Sequence, residues 1–350
     1  MTYASALLIR AAQVQNDPGF IVGPISKVFG YIIDFLFNIV YGVTVNHSLG
    51  ISIIFLTLIV RCLMLPLAVK QQQSMMKMQK LNPEVTKIRE KYGSSKDPEV
   101  QQKMNVEIQA LYSKNKVNPL SGCLPMLITM PLFFGLSYIM NQSYMFISKL
   151  GDIYRGLAVS VYSACVYDNK VLELIHRIAT PHVPKKMLDA GAIDIKIPEQ
   201  FAKVLNKFSA DDWKALFAQI PADYLPQVQQ AFEQKQAVEM FFGLPLTEAS
   251  GWGWPGIIIP VLAGVTTLLS SWLSSQLTQS SADEKSRSTQ RMMMIVMPVM
   301  MGFMTVGLPA GVGIYWITSS VFQVGQQLIM NARSGISVTA GIPFLKKNDK

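Results

Sequence analysis

Residues 46–70 read NHSLGISIIFLTLIVRCLMLPLAVK, and between Leu49 and Val69 the only ionisable residue is Arg61. About 20 apolar residues cross the ~30 Å hydrocarbon core of a bilayer, so this stretch has the length and composition of a membrane span. An arginine inside a span costs at least ~2.5 kcal/mol, and such a residue usually faces a protein interior or a wet cavity. Arg61 lies in the second half of the run, toward Pro66 and Lys70. Its side chain either snorkels to that nearer interface or serves a site, and on this segment alone both readings stand.

The composition fits a polytopic membrane protein. Half of the 350 residues are hydrophobic and only 15% are charged, where a soluble chain carries nearer a quarter. The net charge of +9 is unevenly placed, so it sets topology and gives no reason to expect recognition of a specific nucleic acid sequence. Cys62, Cys123 and Cys165 have no CxxC spacing and no histidine neighbours, so neither a disulfide framework nor a metal site is expected, and nothing calls for a cofactor. The opening run MTYASALLIRAAQVQNDPG makes a poor signal peptide, with no basic residue ahead of a short apolar stretch.

Outward from the Arg61 span, the expected architecture is all-α: five transmembrane helices, a helical hairpin and an N-terminal interfacial amphipathic helix. After an N-terminal segment (1–23), residues 24–45 place Lys27, Tyr31, Asp34, Asn38 and Tyr41 on one helical stripe, with Val28, Ile32, Phe35 and Ile39 opposite. A helix with one wet and one oily face lies in the membrane interface; a tilted span with Asp34 buried against another helix is the competing reading. Span 1 covers 46–69. Residues 70–118 carry ten Lys/Arg against five acids, in two helical stretches parted around Gly93, the second starting at Asp97-Pro98. Span 2 (119–142) contains Pro125 and Pro131, which membrane helices tolerate.

Residues 143–252 form a nearly neutral, water-compatible region of small helices, with a start signal at Ser209 before Trp213. His176 and His182 lack ligand spacing and read as surface residues. Span 3 (253–277) is rich in hydroxyls in its second half. A polar link (278–291), span 4 (292–308), span 5 (312–331) and a basic tail (332–350) complete the chain. Span 4 holds seven methionines between Met292 and Met304, either as packing against lipid and neighbouring helices or as a pliable surface for varied clients. By the positive-inside rule the 70–118 hairpin, the 278–291 link and the tail are cytoplasmic. The N-terminus and the 143–252 region are then outside.

No Asp or Glu lies in any of the five spans to neutralise Arg61, and an unpaired buried cation needs water or a visiting anion. Thr57 on span 1, Thr129 on span 2, Ser270, Ser271 and Ser274 on span 3, and Tyr315, Trp316 and Gln323 on span 5 supply polar groups. Together they suggest a hydrated groove around Arg61, open to the cytoplasm.

Arg61-x-x-x-x-Pro66-Leu67, the basic hairpin, Asn118-Pro119-Leu120-x-Gly122-Cys123-Leu124-Pro125, Met130-Pro131, and Leu308-Pro309-Ala310-Gly311 leading into Tyr315-Trp316 resemble the core of the YidC (YidC/Oxa/Alb) family of membrane protein insertases. The resemblance covers roughly 24–142 and 241–332. It implies a non-enzymatic insertase of the bacterial plasma membrane, with a hydrophilic groove closed toward the outside. Arg61 matches the family's groove arginine, and Thr57, Tyr315 and Trp316 match groove-side contact positions. The implied partners are nascent membrane proteins with short acidic extracytoplasmic tails, the ribosome through the basic tail and hairpin, the Sec translocon, and the lipid bilayer. Two features depart from the family pattern: Thr129 and Ser270/Ser271 stand where glutamine is frequent, and the 143–240 region is much longer than in compact members. A transporter would show intramembrane acids or broken-helix repeats, and an intramembrane enzyme would show a GxSG, HExxH or paired-aspartate motif; the sequence has none of these. An activity of the 143–250 region itself stays open.

Overall fold

A computed structural model describes residues 19–93, 97–118, 124–167, 169–179, 196–276 and 284–333. Residues 1–18, residues 119–123 of the Asn-Pro-Leu motif, residues 278–283 of the link, His182 and the tail beyond Arg333 lie outside them. The described chain is helical apart from one pair of two-residue strands. In order it forms α1 (Gly19–Val43), α2 (Ser48–Lys80), α3 (Asn82–Tyr92), α4 (Pro98–Lys114), α5 (Leu124–Asn141), α6 (Ser143–Phe146), α7 (Ser148–Tyr167), α8 (Asn169–Ala179), α9 (Pro198–Leu205), α10 (Ala210–Phe217) and α11 (Leu225–Glu239). The strands β1 (Met240–Phe241) and β2 (Leu244–Pro245) follow, then α12 (Ile258–Gln276), α13 (Glu284–Val306) and α14 (Ala310–Arg333).

By length and composition, Gly19–Val43 and Ser48–Met78 are long and apolar enough to cross a membrane; Ile258–Ser274 and Ile295–Val306 are shorter apolar helices. At ~1.5 Å per residue α2 is about 50 Å long, well beyond the ~30 Å of a hydrocarbon core. The helix continues past Lys70 into the polar stretch that follows the apolar run. The run Lys70–Lys80 contains glutamine, lysine and methionine, all good helix formers. The helix ends only ahead of Asn82-Pro83, where proline occupies the first turn of α3.

The chain forms two compact units, the first from residues 1–56, 131–259 and 305–315, the second from 57–130, 260–304 and 316–350. In the first unit the 143–252 region builds its own core. Trp213 is buried, with its ring centroid 4.7 Å from Phe232 and 5.3 Å from Phe208, among Leu157, Phe201, Leu205 and Val228. The start signal at Ser209 becomes a capping box: Ser209 Oγ accepts from the Asp212 amide at 3.3 Å, and Asp212 Oδ2 accepts from the Ser209 amide at 2.8 Å. Inside this core Lys235 Nζ pairs with Glu239 Oε2 at 2.9 Å, both side chains almost fully buried, and Thr247 Oγ1 donates to the same oxygen at 2.9 Å. The ammonium also lies over the Tyr154 and Phe232 rings, where ring quadrupoles replace part of its lost hydration. Burial, reinforced by Glu239, holds the Tyr154 hydroxyl well above its ordinary pKa.

The wet stripe expected on α1 does not all face water. Asp34 is 2% exposed and accepts from the Ser148 amide at 2.6 Å and from Ser148 Oγ at 2.8 Å. A carboxylate thus caps the first turn of α7 from another helix, where orphan amides and the helix dipole favour negative charge. Gly30 lets the Phe146 ring approach α1, since a Cβ there would stand 2.5 Å from it. Val28, Phe35 and Ile39 remain on the exposed side.

A strap of main chain closes this unit. His47 N–H donates to Ala237 O at 3.0 Å, and His47 Nδ1 lies 2.6 Å from Met240 O. Phe241 packs where a side chain on Gly50 would collide with its ring. Further along, Gly311 N–H donates to Leu246 O and Ala310 N–H to Glu248 O, while the Ser250 and Gly251 amides donate to Leu308 O and Val306 O. The start of α2 and the turn between α13 and α14 are thereby stitched to one continuous segment.

In the second unit α3 and α4 touch and are latched by Lys91 Nζ on Glu107, 3.0 and 2.9 Å from its two oxygens. Hydrogen bonds from Lys91 and then from Tyr92 lower the Glu107 pKa, and the same Glu107 contact raises that of Lys91. A carboxylate depressed on folding stabilises above its unfolded value, and that contribution is lost as pH falls through the folded value. The α3–α4 contact should therefore loosen as pH drops below 4.5, the ordinary carboxylate value, and a Glu107→Gln variant should lose this acid transition; spin-label distances across the pair measure both. In the buried core, Glu239→Ala strands the Lys235 ammonium and should cost ~3–5 kcal/mol, whereas Lys235→Met combined with Glu239→Leu should recover most of it, as read from thermal unfolding of the purified protein.

Candidate functional site

The second unit brings the polar residues of α2, α12 and α14 together. On α2 Thr57 is fully buried, and Arg61, one turn later, is half-buried. α12 and α13 meet through glycines: a Cβ on Gly302 would stand 3.0 Å from Pro260 O and 3.7 Å from Gly264 Cα. Small residues that let helix backbones approach are the usual packing device of helices in lipid. The outer sides of these helices are apolar and exposed, with Val261, Val265, Val299 and Phe303 each more than half accessible.

Across α12 and α14 the polar groups form rungs. Trp316 Nε1 donates to Thr267 Oγ1 at 2.8 Å, Thr267 Oγ1 donates on to Ala263 O at 2.6 Å, and Ser320 Oγ is 3.4 Å from the same hydroxyl. One turn further, the Gln323 amide bridges to Arg61. A guanidinium has donors only, so the amide is assigned with its oxygen toward Arg61, 2.7 Å from one terminal nitrogen and 3.0 Å from the other. The Gln323 nitrogen then donates to Ser270 Oγ at 3.2 Å. In the next rung Ser274 Oγ donates to Gln327 Oε1 at 3.4 Å, and Gln327 Nε2 donates to Asn331 Oδ1 at 2.8 Å. Asn331 is fully buried, and its Nδ2 has no partner.

Of the residues expected to line a groove, the structure thus joins Arg61, Gln323 and Ser270 directly, Trp316 through Thr267, and Ser274 through Gln327. Thr57, Thr129 and Ser271 belong to the same unit, with Thr129 and Ser271 half-buried. Tyr315 is 4% exposed and falls in the first unit, one residue before the boundary on α14. Thr267, Ser320, Gln327 and Asn331 are missing from the expected set. The signal for them was the spacing on α14, where Trp316, Ser320, Gln323, Gln327 and Asn331 recur every three to four residues and so share one helical face.

The arrangement supplies a cation whose hydrogen bonds are partly met by a neutral amide. That amide orients the guanidinium and adds no charge of its own. It sits beside hydroxyls and amides that donate and accept, with no nucleophile–base pair among these rungs.

A family model described as 60Kd inner membrane protein matches residues 40–180 and 203–336. Among similar proteins, the membrane protein insertase YidC of Syntrophobacter fumaroxidans is 27% identical over 307 residues, covering 88% of this chain and 38% of that protein. The YidC of Oceanobacillus iheyensis is 28% identical over 307 residues, 87% of this chain and 83% of its own length. The insertase MisCA of Bacillus subtilis is 35% identical over 178 residues, 49% of this chain and 59% of that protein. The chain therefore spans well under half of some relatives and most of others.

Because the atom facing Gly302 is a backbone carbonyl, which cannot swing aside, Gly302→Leu should separate α12 from α13 and lower the melting temperature by several degrees. Gly325→Ala, with nothing within 4 Å of the added carbon, should leave it unchanged or raise it slightly.

Proposed function

The chain belongs to the 60Kd inner membrane protein family, and on that premise we propose that it is a membrane protein insertase that docks acidic client tails on Arg61. The observation that carries this reading is a half-buried arginine on an apolar helix, oriented by the neutral Gln323 amide. Relatives named membrane protein insertase support it.

In this reading α2, α5, α12, α13 and α14 cross the plasma membrane of a bacterial cell, and α1 lies at its outer interface. The α3–α4 hairpin and the basic tail are cytoplasmic and meet the ribosome, and the 143–252 region is outside. The polar rungs form the wall of a hydrated groove open to the cytoplasm and closed toward the outside. No bond is made or broken during insertion. Arg61 lowers the cost of bringing a short acidic tail partway into the bilayer, as a fixed counter-charge does in a low-dielectric site. The membrane potential favours outward passage of each negative charge by ~2.3 kcal/mol per 100 mV. The client helix then leaves sideways into lipid, favoured by the burial of its apolar surface at roughly 25 cal/mol per Å². The protein works in this way alone or beside the Sec translocon.

Reconstituted into liposomes, Arg61→Lys should keep much of the insertion of acidic-tailed, single-spanning clients, while Arg61→Ala should lose it at least tenfold. Normal insertion of such clients by Arg61→Ala would exclude docking at Arg61.

A further inference from the structure

The segment from β1 to the start of α12 carries its large aromatics on the outside. Residues 240–257 read MFFGLPLTEASGWGWPGI, with Glu248 the only ionisable residue, and no lysine or arginine occurs from 236 to 284. Phe242 is 79% exposed, Trp252 62% and Trp254 83%. Single exposed apolar side chains are ordinary. Three large rings on one short, nearly uncharged segment are the mark of a surface that something apolar covers.

Phe242 is held outward against its backbone preference. β1 and β2 pair Phe241 with Leu244, so Phe242 and Gly243 form a two-residue turn, with φ of 48° and 81°. Turns of this kind take Asn-Gly or Asp-Gly by preference, and a bulky residue at positive φ is an outlier. Such strain persists where the surroundings hold it, and it points to a use. One face of the ring stacks on His47, with centroids 5.5 Å apart and planes at 17°, while His47 Nδ1 lies 2.6 Å from Met240 O. That stack leaves most of the ring accessible.

The stack also sets the level of Phe242 along the chain's apolar helices. His47 directly precedes α2 and its apolar run, so Phe242 stands at the end of that run. Trp252 and Trp254 lie just ahead of α12, which begins at Ile258, on chain whose Ser250 and Gly251 amides bond the α13–α14 turn. Val43, at the end of α1 and close in sequence to His47, adds to the exposed apolar surface. All three rings therefore belong where apolar helix gives way to polar chain. Tryptophan, with an apolar body and one N–H, concentrates at membrane–water interfaces, and phenylalanine accompanies it on the embedded side of interfacial segments.

We propose that Phe242, Trp252 and Trp254 form a lipid anchor, entering the boundary between headgroups and acyl chains on the side where α2 begins. The anchor sets the depth of the helix ends that the strap ties together. With no basic residue in the segment, attachment comes from apolar burial and does not draw on anionic lipid. The proposal rests on the reading above that α2 and α12 cross the membrane.

Nitroxide labels on the full-length protein, with Cys62, Cys123 and Cys165 changed to alanine, test it in vesicles of phosphatidylcholine alone. Labels are placed through Phe242→Cys and Trp254→Cys, through Val265→Cys on the exposed side of α12, and through Lys214→Cys as a water-facing reference. Collisions with oxygen, which concentrates in lipid, are compared with collisions with a soluble nickel chelate. The oxygen-to-nickel ratio at positions 242 and 254 should lie severalfold above that at 214 and below that at 265, and should not change when phosphatidylglycerol is added. A ratio at 242 and 254 equal to that at 214 overturns the anchor, as does a ratio that rises only with phosphatidylglycerol. Protection from both probes overturns it too, because a protein surface or a second copy then covers the rings. Position 265 separates the two ideas. If it meets nickel as freely as 214, the spanning of α12 is wrong; if it lies in lipid while 242 and 254 lie in water, the span stands and the anchor is wrong. Position 254 repeats the measurement away from the hairpin, so a turn disturbed by Phe242→Cys does not decide the outcome.

Discussion

A guanidinium on an otherwise apolar helix needs hydrogen-bond acceptors, and much of the second unit is arranged around that requirement. The Gln323 oxygen meets two of its donors at 2.7 and 3.0 Å. The amide in turn needs a partner, which Ser270 provides from α12. Polar rungs above and below, Trp316–Thr267 and Ser274–Gln327, keep α12 and α14 in register, so that the Arg61–Gln323–Ser270 bridge is one step of a ladder. Such pairs between helices in lipid contribute about 0.6 kcal/mol each on average. Their larger effect is to specify which faces meet.

Arg61 was legible from sequence because a charge inside an apolar run is conspicuous without any knowledge of packing. Trp316, Gln323 and Ser270 were legible as polar residues on helical stripes, but their pairing was not, because it depends on which stripes face each other. Gln327 and Asn331 continue the same stripe, but spacing alone does not say how far along α14 a partner helix covers it. Asp34 shows the same limit from the other side. A helical wheel sets it on the wet stripe of α1; its partner, Ser148, is 114 residues away, beyond the reach of any local pattern. The composition changes at Lys70, yet α2 runs on to Lys80, since no helix breaker occurs between Lys70 and Asn82-Pro83.

The 143–252 region carries its own core around Trp213, and the cost of burying Lys235 and Glu239 together is met by their mutual contact and the surrounding rings. It is nevertheless fastened to the helices that precede it. Asn206 and Lys207 donate to Asn141 O at the end of α5, and Asp34 of α1 holds the start of α7.

The strap from Ala237 to Gly251 fastens the start of α2 and the α13–α14 turn chiefly through amides and carbonyls. Main-chain groups are identical in every residue but proline, so such a seam asks for a path and a length and makes few demands on side chains. Substitutions can accumulate along it without opening it, while one inserted or deleted residue would shift every bond beyond that point. Drift in this stretch should run through its letters and spare its spacing, with Gly50 as the position where the letter itself is held, because the Phe241 ring occupies the space a side chain would need.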